Sequence, residues 1–134
     1  MSTIKDKNLA TIGQQEVDWA ARQMKVLEEI RTEFSSSKPL NGLNIGACMH
    51  VTKETANLML TLKAAGANVA LCASNPLSTK DSVAAYLSEN DIEVHAVHGV
   101  SNDDFFNHLN SVLDTKPDIT CLLYTSPSPR DTRR

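Results

Sequence analysis

No stretch of this 134-residue sequence approaches the roughly 18–20 consecutive apolar residues that a membrane-spanning helix needs. Met1 to Lys7 leads into a polar helical pattern, not an apolar signal core, which argues against secretion. A basic footprint is missing too. The net charge is −3, and because Arg130, Arg133 and Arg134 against Asp131 contribute +2, residues 1–120 carry −5. An acidic body of this kind argues against nucleic acid and anionic membranes as partners. Cysteine is scarce: Cys48, Cys72 and Cys121 form no CxxC pair and no zinc spacing. An odd count at wide intervals reads as buried thiols in a reducing cytoplasm. There is no GxGxxG, P-loop or HExxH. Gly42-Leu43-Asn44-Ile45-Gly46 has two glycines and runs into a strand, so it is no phosphate loop. No metal site is expected. His95 and His98, three apart on one strand pattern, point to opposite faces, and His108 falls on a helix where it is expected to be solvated.

What is present is ordinary globular composition, 41% hydrophobic and 22% charged, at the size of one domain or a piece of one. Val17, Ala20, Met24, Leu27, Ile30 and Phe34 recur at steps of three and four, predicting one long helix over 12–34 that Ser35 to Pro39 ends. The period then changes. Short apolar runs near 43–48, 68–73, 92–98 and 118–121 alternate with helical patterns near 52–65, 79–88 and 102–114. Gly66 suits the C′ position of the first of these helices, and Ser78 with Asp81 resembles a capping box at the start of the second. The alternation predicts an α/β fold: a partial Rossmann-like parallel sheet with helical crossovers, preceded by one long N-terminal helix.

In such a sheet, ligands bind beyond the carboxyl ends of the strands. Two of these ends are rich in functional groups: His50 to Thr55 and Ser74 to Asp81. Together they present hydroxyls, an amide, a carboxylate and an imidazole. Each residue also has a structural use. Thr52 and Ser78 suit N-caps, Glu54 is favourable in a first helical turn, and a single histidine at a strand end is often only a hydrogen-bonded structural residue.

Gly46-Ala47-Cys48-Met49-His50-Val51-Thr52-Lys53-Glu54-Thr55-Ala56 is similar to the G-x-x-x-H-x-T-x-x-T-A motif of the S-adenosylhomocysteine hydrolase family. Cys72 to Asp81 resembles that family's S/C-N-x-x-S-T-Q-D motif, and Ala21 to Leu27 its A-x-x-E-M-P-x-L helix, with Gln23, Lys25 and Lys80 departing from the pattern. The resemblance runs from about residue 5 to Thr120. It implies an N-terminal part of a substrate-binding domain over residues 1–120, in a methyl-cycle enzyme of the cytoplasm that forms homotetramers. The family reversibly hydrolyses S-adenosylhomocysteine to adenosine and homocysteine, using bound NAD to oxidise the ribose 3′-hydroxyl before elimination. Carried over by position, Thr52 would bond the ribose and Glu54 the adenine amino group. His50 would sit near the 5′ position for acid–base duty, and Thr55, Asn75 and Ser78 would line the same pocket. No residue of this chain is expected to bind the cofactor, and the chain alone is expected to be inactive. The alternative is a non-catalytic regulatory or binding module related to the hydrolase. After Thr120 the match stops, and residues 121–134 read as non-native sequence or a disordered tail.

Overall fold

Four short strands, each followed or preceded by a helix, build one parallel sheet. The structure is a computed structural model and describes residues 2–122. A 3-10 turn at Lys7–Leu9 leads into α1 (Ala10–Ala21) and α2 (Lys25–Ser37). Then come β1 (Asn44–Cys48), α3 (Lys53–Ala64), β2 (Asn68–Cys72), α4 (Asp81–Glu89), β3 (Glu93–His95), α5 (Asn102–Leu113) and β4 (Ile119–Leu122). The strand order is β3-β2-β1-β4, with every pair parallel. The chain therefore moves outward from β1 through β2 to β3, then crosses to β4 on the other side of β1. The order reverses at β1, and a reversal of this kind opens a crevice beyond the strand ends.

Helices cover both faces. On one, Met59 and Leu60 of α3 and Val83 and Leu87 of α4 pack over Ile45, Ala47, Val69, Leu71 and Val94, and Val17 of α1 joins the same core. On the other, α5 lays Val112 and the half-buried Leu109 over Cys48, Ala70 and Cys72. The apolar runs of β1 and β2 have no polar alternation because both of their faces are covered.

The helix expected over 12–34 is two helices. Met24 leaves the helical region (φ −117, ψ 62), and the Gln23 and Met24 amides bond three residues back, to Ala20 and Ala21. The apolar period continues through the break, so periodicity could not reveal it. The two halves have different duties: α1 buries Ala10, Gly13, Val17 and Ala20, whereas α2 buries none of its residues fully. The capping box expected at Ser78 and Asp81 does not form. The Lys80 amide is committed to the Val51 carbonyl, so α4 starts later, with no side-chain cap. Asp81 instead accepts the His98 amide. Gly66 does take the left-handed conformation after α3 (φ +99). The boundary expected after Thr120 falls inside β4, which continues through Cys121 and Leu122. The rest of that tail lies outside the described residues.

Residues 2–3 reach across to the free side of β3. The Thr3 amide donates to Val94, and Ala96 donates to the Thr3 carbonyl. Buried His95 makes contacts from both ring nitrogens, to Thr3 Oγ1 at 3.1 Å and to Glu93 Oε2 at 2.8 Å. His108, expected in solvent, is half-buried with its ring centroid 6.5 Å from that of His95. Burial lowers its proton affinity, and the charge on His95 adds to that. Burial pushes the Glu93 carboxyl up, but the His95 hydrogen bond and nearby positive charge outweigh it and hold Glu93 below the usual range. A carboxylate depressed in this way stabilises the fold above its unfolded pKa, and that stability is lost as pH falls through the folded value. Glu93→Gln is therefore expected to be less stable than wild type at pH 7. The gap should shrink as pH drops below about 4.3, the ordinary glutamate value. Urea titrations at pH 7 and pH 3.5 measure both gaps, and a gap independent of pH would count against the His95–Glu93 account.

Candidate functional site

The loop after β1 lies at the point where strand order reverses, and it is tied to the loop after β2 through one residue. Val51 donates its amide to the Ser78 carbonyl at 2.8 Å and accepts the Lys80 amide at 2.9 Å, forming a one-residue parallel bridge with Thr79. Its side chain is wholly buried in the core below. The two sequence segments, more than twenty residues apart, thus form one rim.

Thr52 caps α3 as its residue type suggests. Its hydroxyl oxygen accepts the Thr55 amide at 3.4 Å and lies equally far from the Thr55 hydroxyl. Thr55 is buried beneath it, while Glu54 projects outward in the first turn. The Glu54 carboxylate pairs with Lys53 at 3.1 Å, and the Lys53 ammonium also lies 5.7 Å from the Trp19 ring centroid. Both partners are solvated, so the pair holds little energy and leaves Glu54 free to trade it for another donor. The positive end of α3 favours the carboxylate where it stands.

Beside this turn lies a hollow of about 590 Å³. Its walls are mostly apolar: Met24, Leu27 and Ile30 from the N-terminal helices, Met49 after β1, and Leu58 on α3. Glu54 and Thr55 are among its few polar groups. A mostly apolar concavity with a few placed polar groups is the usual form of a small-molecule site.

The loop after β2 is self-contained. Ser78 Oγ accepts the Asn75 amide at 3.1 Å and donates to the Asn75 carbonyl at 2.9 Å, while Asn75 Oδ1 takes the Leu77 amide at 2.8 Å. Asn75 and Ser78 therefore hold their own turn, and neither lines the hollow. His50 is exposed on the rim, its Nδ1 3.4 Å from the hydroxyl of buried Ser74, which is itself 3.4 Å from Ser78 Oγ. Sequence reasoning placed Ser74 in the loop without singling it out. Its adjacency to His50 depends on the β1–β2 pairing, and no local pattern carries that. Lys80 turns away from the hollow, to Glu16 of α1 at 3.6 Å.

Neither loop fits a dinucleotide. The first strand-to-helix turn carries Met49-His50-Val51-Thr52 where a pyrophosphate cradle would need glycines, and Gly46 lies within β1 under Pro117 and Val112. Among the described residues no group of three or more His, Cys, Asp or Glu is placed to hold a metal ion. No helix of the described residues is long and apolar enough to cross a membrane.

The family model for S-adenosyl-L-homocysteine hydrolase matches residues 1–123. Adenosylhomocysteinase of Aquifex aeolicus is 50% identical over 117 residues, which is 87% of this chain and 28% of that protein. The Sulfolobus acidocaldarius adenosylhomocysteinase is 47% identical over 116 residues, with the same shares. That of Saccharolobus solfataricus is 51% identical over 110 residues, 82% of this chain and 26% of that protein. The chain spans little more than a quarter of the length of these relatives.

Proposed function

The chain belongs to the S-adenosyl-L-homocysteine hydrolase family, and from that premise we propose that it forms the nucleoside-facing part of a substrate domain for S-adenosylhomocysteine, adenosine and homocysteine. The observation that carries this reading is the Val51 bridge, which assembles both motif loops into one rim at the strand-order reversal. In this reading the adenine ring enters the apolar hollow and gives its exocyclic amino hydrogens to Glu54, because a carboxylate only accepts. The Thr52 hydroxyl bonds the ribose, and Thr55 closes the floor. His50 stands at the rim for proton transfer near C5′, with Ser74 against its Nδ1. Asn75 and Ser78 contribute through the turn they hold, on the side where the amino-acid portion would lie. The reversible cleavage to adenosine and homocysteine is the reaction of the whole family enzyme. NAD supplies the oxidation chemistry there, and no cofactor step is assigned to these residues because they do not fit a dinucleotide. The 134 residues by themselves are therefore inactive in this proposal.

Two measurements test it. With NAD and S-adenosylhomocysteine, the purified chain is expected to release no homocysteine, and release would overturn the assignment of an incomplete site. In a titration followed by amide NMR, adenosine should shift Thr52, Glu54 and Thr55 at least tenfold more tightly than inosine. Inosine presents a carbonyl where adenosine has its amino group, and so leaves Glu54 facing another acceptor. Equal response to the two nucleosides, or shifts confined to the opposite sheet face, would defeat the proposal.

A further inference from the structure

Cys48 and Cys72 are the last residues of β1 and β2, and they stand directly opposite each other in register. Both are buried on the α5 face, packed with Ala70 and Val112. The Cys48 sulfur lies 3.5 Å from the carbonyl oxygen of Ala73, the residue that follows Cys72. Cys121 belongs to the opposite face, 3.6 Å from the Met49 sulfur. Neighbouring strands run about 4.8 Å apart, inside the roughly 4.4–6.8 Å between Cα atoms that a disulfide spans. The nearness of the two thiols also differentiates the pair. The Cys72 thiol beside it lowers the Cys48 proton affinity more than burial raises it, whereas the Cys48 thiol and burial together push Cys72 upward. One sulfur is thus the readier nucleophile, and the other keeps its proton until late.

We propose that Cys48 and Cys72 are an oxidisable dithiol that a hydroperoxide closes into an intramolecular disulfide, tying the ends of β1 and β2 together directly beneath the two loops of the rim. The Cys48 thiolate attacks one peroxide oxygen, the O–O bond breaks, and the departing oxygen leaves as water after taking a proton. The sulfenic acid left on Cys48 is then attacked by the Cys72 sulfur. The S–O bond breaks, and the hydroxyl departs as a second water with the Cys72 proton. Two thiols and one hydrogen peroxide give one disulfide and two waters. Access is through α5. Of its twelve residues only Phe105 and Val112 are buried, so it is the most lightly held cover on the sheet and the first candidate for local opening. Its N-cap is Ser101, whose hydroxyl accepts the Asp104 amide at 3.2 Å.

The inference stands apart from the nucleoside reading, because its test counts thiols and uses no ligand. The full chain is treated with hydrogen peroxide, quenched with iodoacetamide and mapped as unreduced peptides. The expected result is a Cys48–Cys72 cross-link, two of three thiols lost, Cys121 still alkylated, and recovery with dithiothreitol. Cys48→Ser and Cys72→Ser should each abolish the cross-link. Ser101→Ala, which weakens the α5 cap, should accelerate it about fivefold. The proposal is overturned if Cys48 and Cys72 stay alkylatable at a dose that oxidises Cys121. A cross-link that recruits Cys121 would overturn it as well, as would an equal Cys48–Cys72 yield in urea-unfolded chain. An unchanged rate in Ser101→Ala would remove α5 as the point of entry.

Discussion

Gly13→Ala is expected to destabilise the chain by about 3 kcal/mol, the upper part of the usual range for overpacking a tight contact. The cause is the crossing of α1 over α4. A Cβ at Gly13 would lie well inside van der Waals contact with the Ser82 carbonyl oxygen and carbon, and would also press on Tyr86. These are backbone atoms of a neighbouring helix, so no side-chain rotation relieves the clash. Ser82 is tied to α1 a second time, through its hydroxyl bond to Glu16. The two helices must separate, and Val17 and Ala20 lose part of their burial as they do. Gly42→Ala is the contrasting control. Its backbone is left-handed (φ +82) but nothing lies near the added carbon, so only conformational strain of about 1 kcal/mol is expected. Urea unfolding midpoints compare the two directly. A Gly13→Ala loss no larger than that of Gly42→Ala would mean that α1 does not approach α4 this closely.

Met59→Ala is expected to cost a similar amount, about 3 kcal/mol, by the opposite mechanism. Among the described residues Met59 is the largest of the fully buried side chains, and it lies at the centre of α3, four residues after Thr55 on the same helical face. Truncation removes its transfer free energy and leaves a cavity between α3 and the sheet that rigid neighbours fill only in part. Met59→Leu keeps most of the volume and should cost under about 1.5 kcal/mol. The helix that Met59 anchors is also the one that presents Thr52, Glu54 and Thr55. A Met59→Ala loss below about 1 kcal/mol would show that the side chain is not enclosed as described.

Much of this molecule was legible in its residues. The alternation of short apolar runs with amphipathic segments pointed to a parallel α/β sheet, because crossover helices cover both faces of the inner strands β1 and β2. Thr52 as the cap of α3 and Gly66 as its terminator were likewise readable. Both depend on bonds or dihedral angles within a few residues. The two motif loops were placed at strand ends for the same local reason, and the resemblance to S-adenosylhomocysteine hydrolases rested on those segments.

Other features were not legible, and each failed for a stated cause. One continuous apolar period concealed the break at Met24, because α1 and α2 both turn their apolar sides inward. Ser78 looked like a cap, but Val51, on another strand's loop, claims the Lys80 amide and moves the helix start. His108 looked solvated until the return of the chain under β3 set it near His95. The three cysteines looked like scattered thiols, and only register makes neighbours of two of them.

The division follows the range of the forces involved. Local sequence set the alternation of strands and helices, the cap and terminator of α3, and which loops carry polar chemistry, since these depend on neighbours within one turn or one pleat. Tertiary structure alone decided that Val51 joins those loops into a rim, that Gly13 admits α4, and that Cys48 faces Cys72. Each of these depends on groups at least twenty-four residues apart being brought within contact distance, and burial of the shared core is what holds them there.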